Sequence, residues 1–200
     1  WGDGMDTISD TGNHDKISFG DGITYSDLKF RQEGGNLRIT VKNNENQGML
    51  INGFFSSLDY KIEDLYFQDG SIVHLSEIPL TLHQLNTDET INLTGNGDTV
   101  YANGGDDRVN GEQGNDTIFG GDGNDNIYGN SGNDVISGGK GDDTIDGGNG
   151  ADTYIWNLGD GLDTIAQVSS EDIIKFGPGI TFDNLSFRND NGDLRIYIND

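Results

Sequence analysis

Gly120-Gly121-Asp122-Gly123-Asn124-Asp125-Asn126-Ile127-Tyr128 and Gly138-Gly139-Lys140-Gly141-Asp142-Asp143-Thr144-Ile145-Asp146 spell one nonapeptide, Gly-Gly-x-Gly-x-Asp-x-apolar-x. The same register runs outward from them. Its aspartates are Asp98, Asp107, Asp116, Asp125, Asp134, Asp143 and Asp152, and two residues after each stands Val100, Val109, Ile118, Ile127, Ile136, Ile145 or Tyr154. A fixed short period marks a stacked architecture, in which each unit buries its apolar side chain only against neighbouring units.

The residue types at each position say how the stack is built. The first six residues of a copy suit a turn and the last three a short strand, so two copies make one coil and the position-eight side chain points inward. Glycines at the first and fourth positions, Gly111, Gly114, Gly120, Gly123, Gly129, Gly132, Gly138, Gly141, Gly147 and Gly150, permit φ > 0 and close approach of neighbouring coils. Turn carbonyls and aspartate carboxylates then face a hard cation. Calcium, which takes about six to eight oxygen ligands, suits that donor set, and soft-metal ligands are missing. Each ion is expected between copies n and n+2, pairing Asp107 with Asp125, Asp116 with Asp134, Asp125 with Asp143 and Asp134 with Asp152, about five ions in all. Asp98 belongs to the copy that departs furthest from the pattern, where Leu93, Thr94 and Asn96 replace glycines. Ala102 and Asn103 weaken the second copy, and Ala151 changes only the variable fifth position of the last.

Composition points the same way. Only 32% of the 200 residues are hydrophobic, and 35 acidic against 11 basic residues give a net charge of −24. Such a chain is repelled by nucleic acid and by anionic membrane surfaces, which leaves cations as its natural partners. One aliphatic side chain per nine residues buries too little to offset the ordering of glycine-rich turns, so the roll is expected to be unfolded without calcium and folded with it. There is no cysteine, hence no disulfide, thiolate zinc site or cysteine nucleophile. No apolar run is long enough to span a bilayer. The start, Trp1-Gly2-Asp3-Gly4, is not a signal peptide and lacks an initiator methionine, which reads as an excised fragment.

A longer repeat surrounds the short one. An offset of 157 residues lays Gly2 on Gly159, Asp6-Thr7-Ile8 on Asp163-Thr164-Ile165, Phe30-Arg31 on Phe187-Arg188 and Leu37-Arg38-Ile39 on Leu194-Arg195-Ile196. The chain therefore divides into residues 1–18, the end of a preceding repeat block; 19–92, a flanking β domain; 93–155, the nonapeptide roll; and 156–200, a truncated second flanking unit. Alternation in Leu37-Arg38-Ile39-Thr40-Val41 reads as antiparallel strand, and Ile62–Phe67, Gln68-Asp69-Gly70-Ser71 and Ile72–Leu75 as a hairpin. Helix content is expected to be low, with one short helix or 3₁₀ turn in Ser76–Leu85. Asp6, Asp15, Asp163 and Asp172 keep the nine-residue spacing and suit terminal coils, although Gly12-Asn13-His14-Asp15 and Ser169-Ser170-Glu171-Asp172 lack the glycine framework. The outward stripe Tyr101, Phe119 and Ile155 suits docking of the flank. Trp1 and Trp156 are expected beside the flank junctions. His14, His74 and His83 form no zinc motif, and no nucleophile elbow or phosphate loop occurs, so the chain is expected not to be an enzyme.

Residues 93–155 resemble the RTX (repeats-in-toxin), haemolysin-type calcium-binding family. The flanks resemble its associated haemolysin-type calcium-binding-related domain through Gly161-Leu162-Asp163-Thr164-Ile165, Ile174-Lys175-Phe176-Gly177 and Phe187-Arg188. The resemblance implies an all-β fold: a calcium-bound parallel β-roll (β-helix) of nonapeptide repeats flanked by small antiparallel β domains. It further implies calcium as cofactor, a type I secretion apparatus as partner, and secretion to the extracellular space of a Gram-negative bacterium, where calcium drives folding. Some relatives process themselves at an Asp-Pro bond; here the two prolines follow Ile78 and Gly177. A carbohydrate- or host-surface-binding module is the alternative, and a fragment contributing to a secreted enzyme a third reading.

Overall fold

The structure, a computed structural model, describes residues 5–8, 15–41, 44–54, 62–75, 79–84, 86–190 and 193–198. Apart from 3₁₀ turns at Tyr25–Asp27 and Phe182–Asn184, every regular element described is a strand. The flanking strands come first: β1 (Met5–Ile8), β2 (Asp15–Ser18), β3 (Leu28–Glu33), β4 (Asn36–Val41), β5 (Asn44–Ile51), β6 (Ile62–Tyr66) and β7 (Ile72–His74). β3, β4 and β5 are antiparallel neighbours. β6 and β7 form the expected hairpin, its turn held by Gly70 at φ +85° and by the Asp69 carboxylate, which accepts the Ser71 N–H at 2.8 Å. β1 and β2 instead pair in parallel, β1 with β5 and β2 with β6.

The roll follows as β8 (Thr81–His83), β9 (Thr90–Asn92), β10 (Thr99–Gly104), β11 (Arg108–Asn110), β12 (Thr117–Asp122), β13 (Asn126–Tyr128), β14 (Val135–Lys140), β15 (Thr144–Asp146), β16 (Thr153–Trp156), β17 (Thr164–Ala166) and β18 (Ile173–Phe176). Even-numbered strands stack in parallel in one sheet and odd-numbered strands in the other. β8 also pairs with β3 at Leu82 and Phe30, so roll and flank share one ten-stranded sheet. β19 (Leu185–Asp190) and β20 (Asp193–Ile198) close the chain as a separate antiparallel hairpin.

Strand register builds the core. Val100, Ile118, Ile136 and Tyr154 stand opposite one another in one sheet, and Val109, Ile127 and Ile145 in the other. All are buried, in one cluster with Leu82 and Phe30. Each copy gives this core one large side chain, which is why its period is legible and its depth is small.

Two regions differ from expectation. Thr81–His83, within the stretch read as a helix or 3₁₀ turn, is strand β8, because Leu82 precedes Ile91 and Val100 at the nine-residue spacing and takes the same inward place; residues 76–78 and 85 lie outside the described residues. The parallel coils run from Thr81 to Phe176, past both ends of the nonapeptide pattern, as Ile165 and Ile174 pair onto Ile145 and Tyr154. The described flanking strands join the roll edge to edge, through β3 and β8, while Tyr101 and Phe119 stack at 5.0 Å with Tyr101 still 36% exposed. No helix among the described residues is long and apolar enough to cross a membrane.

Candidate metal centre

The repeat aspartates are as buried as the aliphatic core: Asp98, Asp107, Asp116, Asp125, Asp134, Asp143 and Asp152 are each 1% exposed. One oxygen of each is used by the backbone two copies earlier. Asp116 Oδ1 accepts the Asp98 N–H at 2.7 Å, and the same bond runs from Asp107 to Asp125, Asp116 to Asp134, Asp125 to Asp143 and Asp134 to Asp152 at 2.8–2.9 Å, each across 18 residues. Copies n and n+2 are thus brought together by a carboxylate on one and an N–H on the other.

The second oxygen is left over. Oδ2 of Asp107, Asp116, Asp125, Asp134, Asp143 and Asp152 is buried without a hydrogen-bond partner. An unpartnered buried carboxylate oxygen is costly, and a cation is the partner whose chemistry would offset that cost. The first-position glycines show where. A Cβ placed on Gly120 would stand 2.3 Å from Asp125 Oδ2 and 2.4 Å from the Gly138 carbonyl oxygen. On Gly129 it would meet Asp134 Oδ2 at 2.3 Å and the Gly147 carbonyl at 2.6 Å, and on Gly111 the Gly129 carbonyl at 2.5 Å and Asp116 Oδ2 at 2.8 Å. Carboxylate and carbonyl therefore converge closely enough for one ion with ligands at about 2.3–2.6 Å to touch both. Among the described residues no three His, Cys, Asp or Glu side chains gather in one place. The donor set is instead one carboxylate with backbone carbonyls, hard oxygen throughout, which fits calcium.

Fourth-position glycines serve the stacking. Gly123, Gly132, Gly141 and Gly150 have φ of +143°, +144°, +135° and +137°, and a Cβ on each would lie 1.5–2.0 Å from the carbonyl oxygen of the matching glycine two copies earlier.

Electrostatics give the same account of the metal-free ladder. Burial, only partly offset by the backbone N–H bond and reinforced by neighbouring carboxylates, pushes Asp116 and Asp125 up to about 7. Burial likewise raises Asp107 and Asp134 to about 6, and lifts Asp143 and Asp152. The stack resists full ionisation until positive charge enters it.

Asp98 differs from the rest. Its Oδ1 accepts the Leu80 N–H at 2.6 Å and its Oδ2 the Thr94 N–H and hydroxyl at 2.7 Å, so both oxygens are taken. In the second copy, the Ala102 methyl stands where later copies have the open glycine.

Two features, a second ladder and the place of the Tyr154 hydroxyl, went unread in the sequence, and the terminal coils expected at Asp163 and Asp172 join the ladder with a longer spacing. Fifth-position side chains form a second ladder of opposite sense: Asp88, Asp106, Asn115, Asn124, Asn133 and Asp142 accept the N–H of residues 106, 124, 133, 142, 151 and 162. The recurrence of Asx at that position was its signal. Asp163 and Asp172 extend the main ladder across 20 residues, accepting the Asp143 and Asp152 N–H at 3.1 and 3.0 Å, so a two-residue insertion is absorbed in the turns. Buried Tyr154 accepts the Gly147 N–H at 3.3 Å, and burial pushes its hydroxyl up to about 12. Among the remaining candidates, His74 pairs with Asp64 and Trp156 meets Phe176 edge-on at 5.9 Å. Trp1, Gly12, Asn13 and His14, and the side chains of Asp6 and His83, lie outside the described residues.

Parallel coils with oxygen cradles in successive turns define a repeat-built β-roll suited to calcium. Residues 86–118, 93–127 and 119–154 match the RTX calcium-binding nonapeptide repeat (four copies). Residues 86–154 are therefore similar to the repeats of the RTX, haemolysin-type calcium-binding family, which bind calcium. It is 35% identical over 94 residues to the iron-regulated protein FrpA of Neisseria meningitidis serogroup C, a match covering 44% of this chain and 8% of that protein. The extracellular lipase LipA from Serratia marcescens aligns over 98% of this chain and 30% of its own, at 14% identity and a TM-score of 0.37. The chain thus spans a small part of the relatives it matches.

Proposed function

We propose that this chain is a calcium-triggered folding module of a larger protein, exported by a type I system from a Gram-negative bacterium and folded in the extracellular space. The observation that carries this reading is the row of six buried, unpartnered Oδ2 atoms. Asp116, Asp125, Asp134, Asp143 and Asp152 would hold the ions, with the Gly129, Gly138 and Gly147 carbonyls facing three of the cradles, while Asp107, expected from the sequence as a ligand, has the Ala102 methyl at the first position of its copy. Bound calcium supplies the positive charge that lets these carboxylates stay ionised while buried. Asp98, its oxygens committed to Leu80 and Thr94, holds the first turn of the block. In calcium-poor cytosol the ladder repels itself and the chain stays extended enough to thread an export channel; outside, folding hinders return.

The test is circular dichroism during a calcium titration of chelator-treated protein. A cooperative gain of β signal is expected, and a spectrum indifferent to calcium overturns the reading. In the parent protein, Asp125→Ala, Asp134→Ala and Asp143→Ala together should slow export or folding.

A further inference from the structure

The two flanking units have the same local structure but different surroundings. At the 157-residue offset, β19 falls on β3, β20 on β4, and the turn Phe182–Asn184 on Tyr25–Asp27, without a residue of slippage. β17 and β18 overlap the places of β1 and β2, with bounds shifted by one or two residues. Yet Leu37 is 0% exposed and Leu194 67%, Phe30 4% and Phe187 48%, Ile17 7% and Ile174 37%. What covers the first set is on the page. Leu37 pairs with Ile51 of β5, Ile17 with Leu65 of β6, and Phe30 with Leu82 of β8, while Phe19 stacks on Phe67 at 5.2 Å. β5 and β6 also occupy the edges of β1 and β2, the edges that β17 and β18 present at the ends of their sheets.

We propose that the β17–β20 face is a socket for the β5–β8 strands of a second flanking unit, joined in tandem. The flanking unit is then a two-sided splice: β5 and β6 close the end of one roll, and β3 starts the next by pairing with β8. Successive rolls become one continuous solenoid. The sequence repeat supplies the occupant's chemistry, since the apolar residues that meet Leu37, Ile17, Phe30 and Phe19 are those needed over Leu194, Ile174, Phe187 and Phe176. The inference concerns assembly and stands apart from the calcium reading.

Its test is a fusion of a second copy of residues 44–155 directly after Asp200, which occupies the place of Asn43 at the offset. Amide hydrogen exchange is followed at saturating calcium in the chain with and without the extension, with β10–β15 reporting that the first roll is folded. Exchange of β17–β20 is expected to slow by about tenfold or more in the extended chain, which stays monomeric by light scattering. Leu65→Asp and Phe67→Asp in the appended copy alone should restore fast exchange. Unchanged exchange on extension, protection that survives those substitutions, or equal protection of the unextended chain through self-association would each overturn the proposal.

Discussion

Gly120→Ala separates a glycine needed for its backbone from one needed for the space beside it. Gly120 does not adopt a positive φ, so alanine meets no backbone objection. The obstacle is the cradle: the new methyl would stand 2.3 Å from Asp125 Oδ2 and 2.4 Å from the Gly138 carbonyl oxygen, and each must retreat by about 1 Å to reach ordinary contact. Forcing that shift costs about 1–3 kcal/mol. The methyl also fills the position between the two oxygens, and losing one ion at a calcium concentration of about 100 Kd removes a further ~2.7 kcal/mol. Calcium-saturated stability should therefore fall by about 4–6 kcal/mol, and bound calcium by one ion per chain. Gly95→Ala is the control, since a Cβ there meets nothing within 4 Å. Equilibrium dialysis counts the ions, and urea denaturation at fixed calcium gives the stability. If Gly120→Ala binds as many ions as Gly95→Ala and unfolds alongside it, the cradle is not a calcium site.

Ile127→Ala probes the core without touching an oxygen. Ile127 is fully buried between Val109 and Ile145, and its truncation should cost about 2–5 kcal/mol in urea at saturating calcium while leaving the number of bound ions unchanged; a lost ion would show that packing and ligation are not separable. Acidification probes the metal-free ladder. The folded-state values, about 7 for Asp116 and Asp125 and about 6 for Asp107 and Asp134, lie above the unfolded carboxylate range, so their contribution is fully present below that range and is lost as pH rises through 6 to 7. In chelator, the folded fraction seen by circular dichroism should rise as pH is lowered from 8 to 5, and a fall over that window would refute the account.

The roll was legible because its period is written twice, in aspartate and in the aliphatic residue two places on, and a residue at a fixed place in a stacked coil meets its own equivalents. The same logic reaches β8 and β9, where Leu82 and Ile91 keep the inward spacing, but glycine and aspartate are gone and the pattern falls silent. Asp98 shows the converse limit. Its place in the register was plain, but only the structure reveals that Thr94, standing where a glycine would be, takes its second oxygen. Pairings between distant segments, such as β1 with β5 and β3 with β8, rest on contacts that no local pattern announces.

The direction of the ladder bears on the proposed export role. Each described cradle with a facing carbonyl takes its carboxylate from its own copy and the carbonyl from the copy 18 residues further along: Asp116 with Gly129, Asp125 with Gly138, Asp134 with Gly147. The Oδ1 bonds have the same sense, because a copy's aspartate N–H is received by the later copy. At the cradle a coil is therefore completed by its C-terminal neighbour, whereas the fifth-position ladder runs the other way. If the proposed export delivers the C-terminal end first, the completing coils emerge before the ones that need them, so each later coil meets a carbonyl and carboxylate edge already outside. Growth onto a formed edge orders one coil at a time, which avoids the cost of nucleating the whole glycine-rich roll at once.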